Sequence, residues 1–394
     1  MARVAQVHWQ FYLRGGGENV AMNVLEALQT NHEVILVTDR DVELRKLNDY
    51  YGTAVDPTDV EVVRARRFGV SADRALVSMR RGLGGSSLGL LRPLLLVLAH
   101  WTAHPVLKNA DLVVNTTSEM GWEGPSIQYV HYPLFNRYGN PQTSPPDNSL
   151  SKTVNDTILQ LEGLDEINSN SHLLTNSSWT ADLIERTYRV RPDVLHPPVD
   201  ARGFESDIHF SEKEQGFVIL GRISPGKNIL EAMDIIDRVQ ERGYNVHLHV
   251  VGSTPETDYV EEVRARAERS DTIVFNGEVS RSRLVELLQT HRFGIHAKRD
   301  EHFGMAIAEM VAAGAVPFVP RGGGQVEIVN GRDELLWSTP DEAVEKIVAL
   351  LNDSQRLSAV RASLPDVKAE YGQERFREEF CDVVTRALHE ECEH

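Results

Sequence analysis

The chain has 394 residues, 41% hydrophobic and 25% charged, the balance of a soluble globular protein too long for one compact core, so two domains are expected. Its net charge of −17 argues against a general binder of nucleic acid. Cys381 and Cys392, the only cysteines, stand in no metal-ligand pattern, so no disulfide scaffold, metal site or cofactor is expected and a reducing, cytoplasmic location follows.

The start, MARVAQVHWQ, lacks the order of a signal peptide, and no apolar run has the length of a membrane-spanning helix. ARVAQVHW reads as a strand that ends at a glycine turn, followed by the helix NVAMNVLEALQT. RGGGENVA, at 14–21, joins the two. Glycines there let the backbone approach a ligand at a helix N-terminus, although a tight turn needs no more than this. HEVILVTD is the next strand. The following DRD, Asp39 to Asp41, reads as a strand end, with a metal-holding D-x-D as the rival.

Residues 61–108 carry net charge +6 against −23 elsewhere, and they include the leucine-rich LGLLRPLLLVLA at 88–99. A basic, leucine-rich patch in an acidic protein suits a membrane surface; a buried helix flanked by surface arginines is the alternative. ADLVVNTTS, SIQYVHYP and SHLLTNSS are further short apolar runs, and the polar 138–156 reads as a surface loop. His131 ends one of these strands, where a doubly wound sheet faces its ligand.

The proline-broken LHPPVDARGF marks a boundary, giving domains over 1–198 and 199–372 and a C-terminal helix over 373–394. Beyond it the alternation starts afresh with GFVILGR, the helix NILEAMDIIDRVQERG, NVHLHVVG, TIVFNGEV, RFGIHAK and VPFVPRGG. Strands alternating with helices imply parallel sheets, here two doubly wound α/β domains. GRISPGKN, at 221–228, is one residue short of a P-loop, since Asn228 stands where Ser or Thr would hold magnesium. Arg222 and Lys227 nevertheless flank a strand-to-helix turn and suit a diphosphate clamp. In RDEHFGMAIAEMVAAGAVPFVP, Glu301 and Glu309 stand eight residues apart. On one helix that is about 80° of rotation and roughly 12 Å of rise, which suits two ends of one elongated ligand.

Taken in order, Gly15–Glu18, GRISPGKN, the Glu301/Glu309 pair and GGGQVEIV at 322–329 resemble the retaining glycosyltransferases of family 4. YVHYP and EHFGMAIAEMVAAGAVPFV are similar, within it, to the GDP-mannose-dependent α-1,2-mannosyltransferases of the dolichol-oligosaccharide pathway. The resemblance implies a GT-B fold, two Rossmann-like domains facing across a cleft, and a donor held without metal. It places Glu301 on the transferred sugar, Glu309 on the nucleotide ribose, and Arg222 with Lys227 on the diphosphate. Gly15 and Gly16 approach the donor phosphate, and the backbone at Phe303 and Gly304 faces sugar and diphosphate. His131 lies near the transferred sugar, and Gly277 to Val279 near the base. The implied partners are a nucleotide-sugar donor and a lipid-linked glycan or lipid acceptor, at the inner face of a membrane through residues 61–108. A sugar-nucleotide epimerase or phosphorylase on the same fold, or a P-loop-like nucleotide binder, are the alternatives.

Overall fold

The structure, a computed structural model, describes residues 1–9, 11, 15–39, 41–64, 103–117, 119–133, 171–204 and 208–390. Most of the basic window 61–108, the whole of the loop at 138–156, and Cys392 lie outside the described residues. The chain divides into two compact units, Met1–Pro198 with Phe376–His394, and Val199–Arg375.

In the first unit, β1 (Arg3–Val7), β2 (Glu33–Thr38), β3 (Val60–Arg64), β4 (Leu112–Asn115), β5 (Ser126–Val130), β6 (Ser171–Thr175) and β7 (Asp193–Val194) form one parallel sheet. Its order is β3-β2-β1-β4-β5-β6-β7. Strands of such a sheet are covered on both faces, which explains the unbroken apolar runs. Val4 joins a core with Val34, Leu36, Leu112 and Val114, while its neighbour Ala5 joins Ile35, Val37 and Val113 on the opposite face. The helices are α1 (Gly16–Gln29), α2 (Leu44–Tyr51) and α3 (Ser178–Tyr188). The Ser177 side chain accepts the Thr180 N–H at 3.1 Å and so starts α3 after the strand.

The second unit repeats the plan with β8 (Glu214–Leu220), β9 (His247–Val251), β10 (Ile273–Gly277), β11 (His291–Ile295), β12 (Val316–Pro320) and β13 (Leu336–Trp337), in the order β10-β9-β8-β11-β12-β13. Its helices are α4 (Ile229–Glu241), α5 (Asp258–Glu268), α6 (Arg281–Thr290), α7 (Met305–Ala312), α8 (Gln325–Ile328), α9 (Pro340–Asn352), α10 (Ser354–Ala362) and α11 (Val367–Tyr371). Phe217, Phe293 and Phe318, on three adjacent strands, meet within the larger core of this unit, the first two stacked and the third tilted. The last helix, α12 (Gln373–Glu390), leaves this unit: Phe376, Phe380, Val383, Val384 and Ala387 are buried with β1, β2 and α1 of the first. Among the described residues, no helix is long and apolar enough to cross a membrane.

In both sheets the strand order reverses direction beside the first strand, at β1/β4 and at β8/β11. Two diverging crossovers leave a crevice at the carboxyl ends of those strands, which is where doubly wound sheets hold ligands. Strands β3, β7 and β13 are not apparent in the sequence. β3 is an edge strand with an exposed face, and the other two are only two residues long.

Candidate functional site

The second unit builds its site on the loops after β8 and β11. Past β8 the chain makes a tight turn over Pro225–Lys227, and Asn228, at φ +50, caps α4. The Asn228 side chain donates to the Ala297 carbonyl at 3.1 Å, so it ties this turn to the loop after β11. On that loop two lysine ammoniums and a histidine ring surround Glu301. Lys227 Nζ lies 2.5 Å from its Oε2, Lys298 Nζ lies 2.9 Å from its Oε1, and the buried His296 Nε2 is 3.3 Å from Oε2. Burial opposes the charge, but Lys227, His296 and Lys298 together outweigh it and hold the Glu301 carboxyl well below the usual range. Burial likewise keeps His296 below its ordinary value, so it faces Glu301 as a neutral ring.

The glycine-rich stretch at 322–329 fixes the backbone beneath this carboxylate. Gly323 has φ +75, and a Cβ there would lie 2.5 Å from the Glu301 carbonyl oxygen; Gly324 N–H donates to that oxygen at 2.8 Å. The fully buried Gln325 amide donates to the carbonyls of Pro320 and Gly322, at 2.8 and 3.0 Å, and locks the same loop.

Glu301 therefore sits before the helix rather than on it. Helix α7 begins at Met305, with Gly304 as its cap at φ +112, so the helical spacing of 80° and 12 Å expected for Glu301 and Glu309 does not apply. The reason is local: Gly304 and the turn at Glu301 hold non-helical backbone, which breaks the register between the two acids. Glu309 rides on α7 and pairs with Arg281 of α6 at 2.6 Å, not with a lysine. Burial raises the Glu309 carboxyl above its ordinary value in spite of Arg281, and Asp200 pushes the same way.

The remaining residues separate into four places. Arg222 is exposed at the start of the turn that Lys227 ends. The Phe303 ring is buried against Tyr371, 5.4 Å between centroids, so its side chain serves the core. Gly277, at φ +63, ends the edge strand β10, and Val279 two residues on packs against the cluster that holds Val218 and Leu287. Gly15, Gly16 and His131 belong to the first unit. There Gly15 N–H donates to Glu18 Oε2 at 3.0 Å at the head of α1. A Cβ on Gly17 would lie 3.6 Å from His131 Nε2, so the glycine loop and the histidine face each other. His131 Nε2 donates to the Thr116 carbonyl at 3.1 Å, and burial depresses its pKa to about 4, which leaves it neutral. Asp41, from DRD, pairs with Arg64 at 3.1 Å in this unit, apart from the Lys227–Glu301 group.

His296, Lys298, Arg281 and Gln325 escaped the sequence reading. The first two stand five and three residues before Glu301, but nothing in their spacing distinguishes them from strand-end surface residues. Arg281 meets Glu309, and Gln325 the Lys298 carbonyl at 3.3 Å, only through the fold.

Residues 202–363 match the model of the family described as glycosyl transferases group 1. The matched residues, fewer than half of the chain, all lie in the second unit, whose sequence is therefore similar to that of group 1 glycosyltransferases. The chain is 24% identical over 234 residues to the GDP-Man:Man(3)GlcNAc(2)-PP-Dol alpha-1,2-mannosyltransferase of Dictyostelium discoideum, an alignment covering 54% of this chain and 46% of that protein. The mouse protein of the same description is 28% identical over 171 residues, 39% of this chain and 34% of its own. The chain thus spans under half the length of the curated relatives it matches. The whole described architecture is GT-B: the crystal structure of Anabaena HepE with UDP and glucose superposes with TM-score 0.65 at 14% identity, covering 98% of this chain and 100% of that one. Lys227, Glu301 and Glu309 all fall inside the matched residues, whereas Gly15, Gly16 and His131 lie outside them.

Proposed function

We propose that the chain is a retaining hexosyltransferase that moves a sugar, with mannose from GDP-mannose the best match, from a nucleotide-sugar to a lipid-linked oligosaccharide or glycolipid acceptor. The Glu301 carboxylate, held ionised between Lys227 and Lys298 at the switch point of the unit similar to group 1 glycosyltransferases, carries this reading. Transfer breaks the bond between the sugar and the diphosphate, which leaves negative charge on phosphate and positive character on the sugar. Lys227 exchanges part of its contact with Glu301 for the leaving diphosphate, joined by Arg222 and the head of α7. Lys298 and His296 keep Glu301 charged while this happens, so a carboxylate faces the sugar hydroxyls as positive character develops.

Glu309, with Arg281, would hold the nucleotide ribose, and Gly277 to Val279 the base. The backbone of Phe303 and Gly304 would face the donor sugar and diphosphate. Gly15 and Gly16 would approach the phosphate, and neutral His131 would accept a sugar hydroxyl at Nδ1 while Nε2 stays on Thr116. No residue is proposed as a covalent nucleophile, and retention would come from front-face attack. The donor and acceptor classes rest on the curated relatives, which are GDP-mannose enzymes with a dolichol-linked acceptor by description.

The test is a donor screen with purified protein and a membrane-lipid extract, read by product mass. A hexose increment on a lipid product, greatest with GDP-mannose, is expected. An isomerised nucleotide-sugar, or a sugar phosphate formed only with inorganic phosphate, would show an epimerase or phosphorylase instead. A peripheral location on the cytoplasmic side of a membrane is part of the proposal, supported by the basic charge of residues 61–108. Anionic liposomes should float the protein at low salt and release part of it at high salt; absence from the lipid at every salt would remove the membrane.

A further inference from the structure

The opposite end of the second sheet carries a group that the transferase chemistry does not use. His247 opens β9, His291 opens β11, and Glu214 opens β8, the strand that separates them. His249, two residues along β9, projects to the same face as His247. The middle strand would normally keep β9 and β11 side chains apart. It does not here, because Gly216 pairs with His247 in the sheet and has no side chain: a Cβ there would lie 2.3 Å from His247 Nε2 and 2.6 Å from His291 Cδ2. The two rings meet over this glycine with their Nε2 atoms 3.0 Å apart.

The outer nitrogens are already committed. His291 Nδ1 lies 2.7 Å from the Leu287 carbonyl, which can only accept, so the proton is on Nδ1 and the Nε2 lone pair faces inward. His249 Nδ1 lies 2.8 Å from Asn276 Oδ1, which fixes the same tautomer. A ligating imidazole characteristically gives its other N–H to a carbonyl or carboxylate, which orients the ring and raises its basicity. Glu214 Oε2 stands 3.5 Å from His247 Nε2 and 4.0 Å from His291 Nε2. Four ligands at 2.0–2.1 Å around a tetrahedral ion are separated by roughly 3.3–3.4 Å. The triangle of 3.0, 3.5 and 4.0 Å formed by His247 Nε2, His291 Nε2 and Glu214 Oε2 needs shifts of up to about 0.7 Å to match. One ligand atom from each of the three histidines lies within 4.8 Å of the others, and no other group of three such side chains occurs among the described residues.

We propose that His247, His249 and His291 form a site for a transition metal of the zinc class, which the exposed Glu214 carboxylate completes as fourth ligand by swinging in, and which pins the starts of β8, β9 and β11. Three imidazoles and one carboxylate suit zinc over magnesium or calcium, which take oxygen ligands. The site lies at the amino ends of strands whose carboxyl ends carry Lys227 and Glu301, so its role is structural, and it stands independently of the proposed reaction.

The test uses the untagged chain, stripped with EDTA, dialysed, and titrated with zinc chloride by calorimetry and with cobalt(II) by absorption. One zinc per chain, a raised unfolding temperature and the intense visible bands of four-coordinate cobalt are expected. His249→Gln should weaken binding by more than tenfold, and Asn276→Ala, which only releases the His249 tautomer, by about tenfold. Both replace half-buried polar side chains, and Glu214→Gln gives a third, exposed variant in case either fails to fold. The proposal is overturned if the wild type takes up no stoichiometric zinc, or if cobalt gives only the weak spectrum of a six-coordinate ion. Affinity unchanged across the three variants would overturn it equally.

Discussion

Lys227 and Glu301 form the tightest charged contact of the proposed donor site, and Glu301 has a second cation in Lys298. Removing a preorganised charge-stabilising group typically lowers turnover by on the order of 10²–10³. Lys227→Ala is expected to lose that much kcat with its unfolding midpoint little changed, since Lys298 still neutralises Glu301. Glu309→Ala should act differently. Ribose contacts change little as the bond breaks, so donor KM should rise with kcat largely kept. Steady-state kinetics on both variants separate the roles, and an equal, pure rise in KM for both would refute the division. His131 allows a second test, through pH. Its folded pKa of about 4 lies below the ordinary 6.5, so as pH falls the unfolded chain takes up this proton first. Stability is therefore flat above pH 6.5 and declines towards pH 4, by up to ~1.4 kcal/mol per pH unit for one proton. Urea unfolding of His131→Asn should show a shallower decline over that window than the wild type; identical curves would mean that His131 titrates normally.

Among elements, the loop after β11 shows how backbone places a side chain. Glu301 is aimed by Gly323 and Gly324 pressing on its own backbone, and by Gln325 clamping the loop. In Gly323→Ala the new methyl would meet the Glu301 carbonyl at 2.5 Å, and the backbone at φ +75 is one that alanine rarely adopts. The expected outcome is a loss of about 1–3 kcal/mol in stability together with a fall in turnover, because the carboxylate moves with its backbone. Thermal unfolding beside single-turnover rates would check this. Unchanged turnover in a destabilised protein would show that Glu301 tolerates the shift.

For the whole molecule, the return of α12 to the first unit makes the two units interdependent along the chain. Phe376 and Phe380 are fully buried there among residues from α1 and β5, and Arg377 pairs with Glu26 at 3.4 Å. Phe380→Ala is expected to destabilise the first unit by about 3–5 kcal/mol. A chain ending at 375 should fail to fold that unit, while the second, with its own core of aromatic and aliphatic side chains, keeps its structure. Hydrogen exchange resolves the two; uniform loss of protection across both units would overturn this.

Much of this architecture is written in local chemistry. Buried parallel strands demand continuous apolar runs, and the helices between them demand a one-sided stripe, so alternation alone yields two doubly wound α/β domains. Short motifs did the same for Lys227 and Glu301, because a turn after a strand is specified by residues near in sequence. What the sequence left undetermined depends on neighbours brought together by sheet order. Arg281 finds Glu309 across two helices, Gln325 reaches the Lys298 carbonyl twenty-seven residues behind it, and His247 and His291 meet over Gly216 from strands that are not sequential. The placing of Glu301 ahead of α7 combines the two: the break at Gly304, at φ +112, is local, whereas Gly323 closes on the Glu301 backbone from a separate loop.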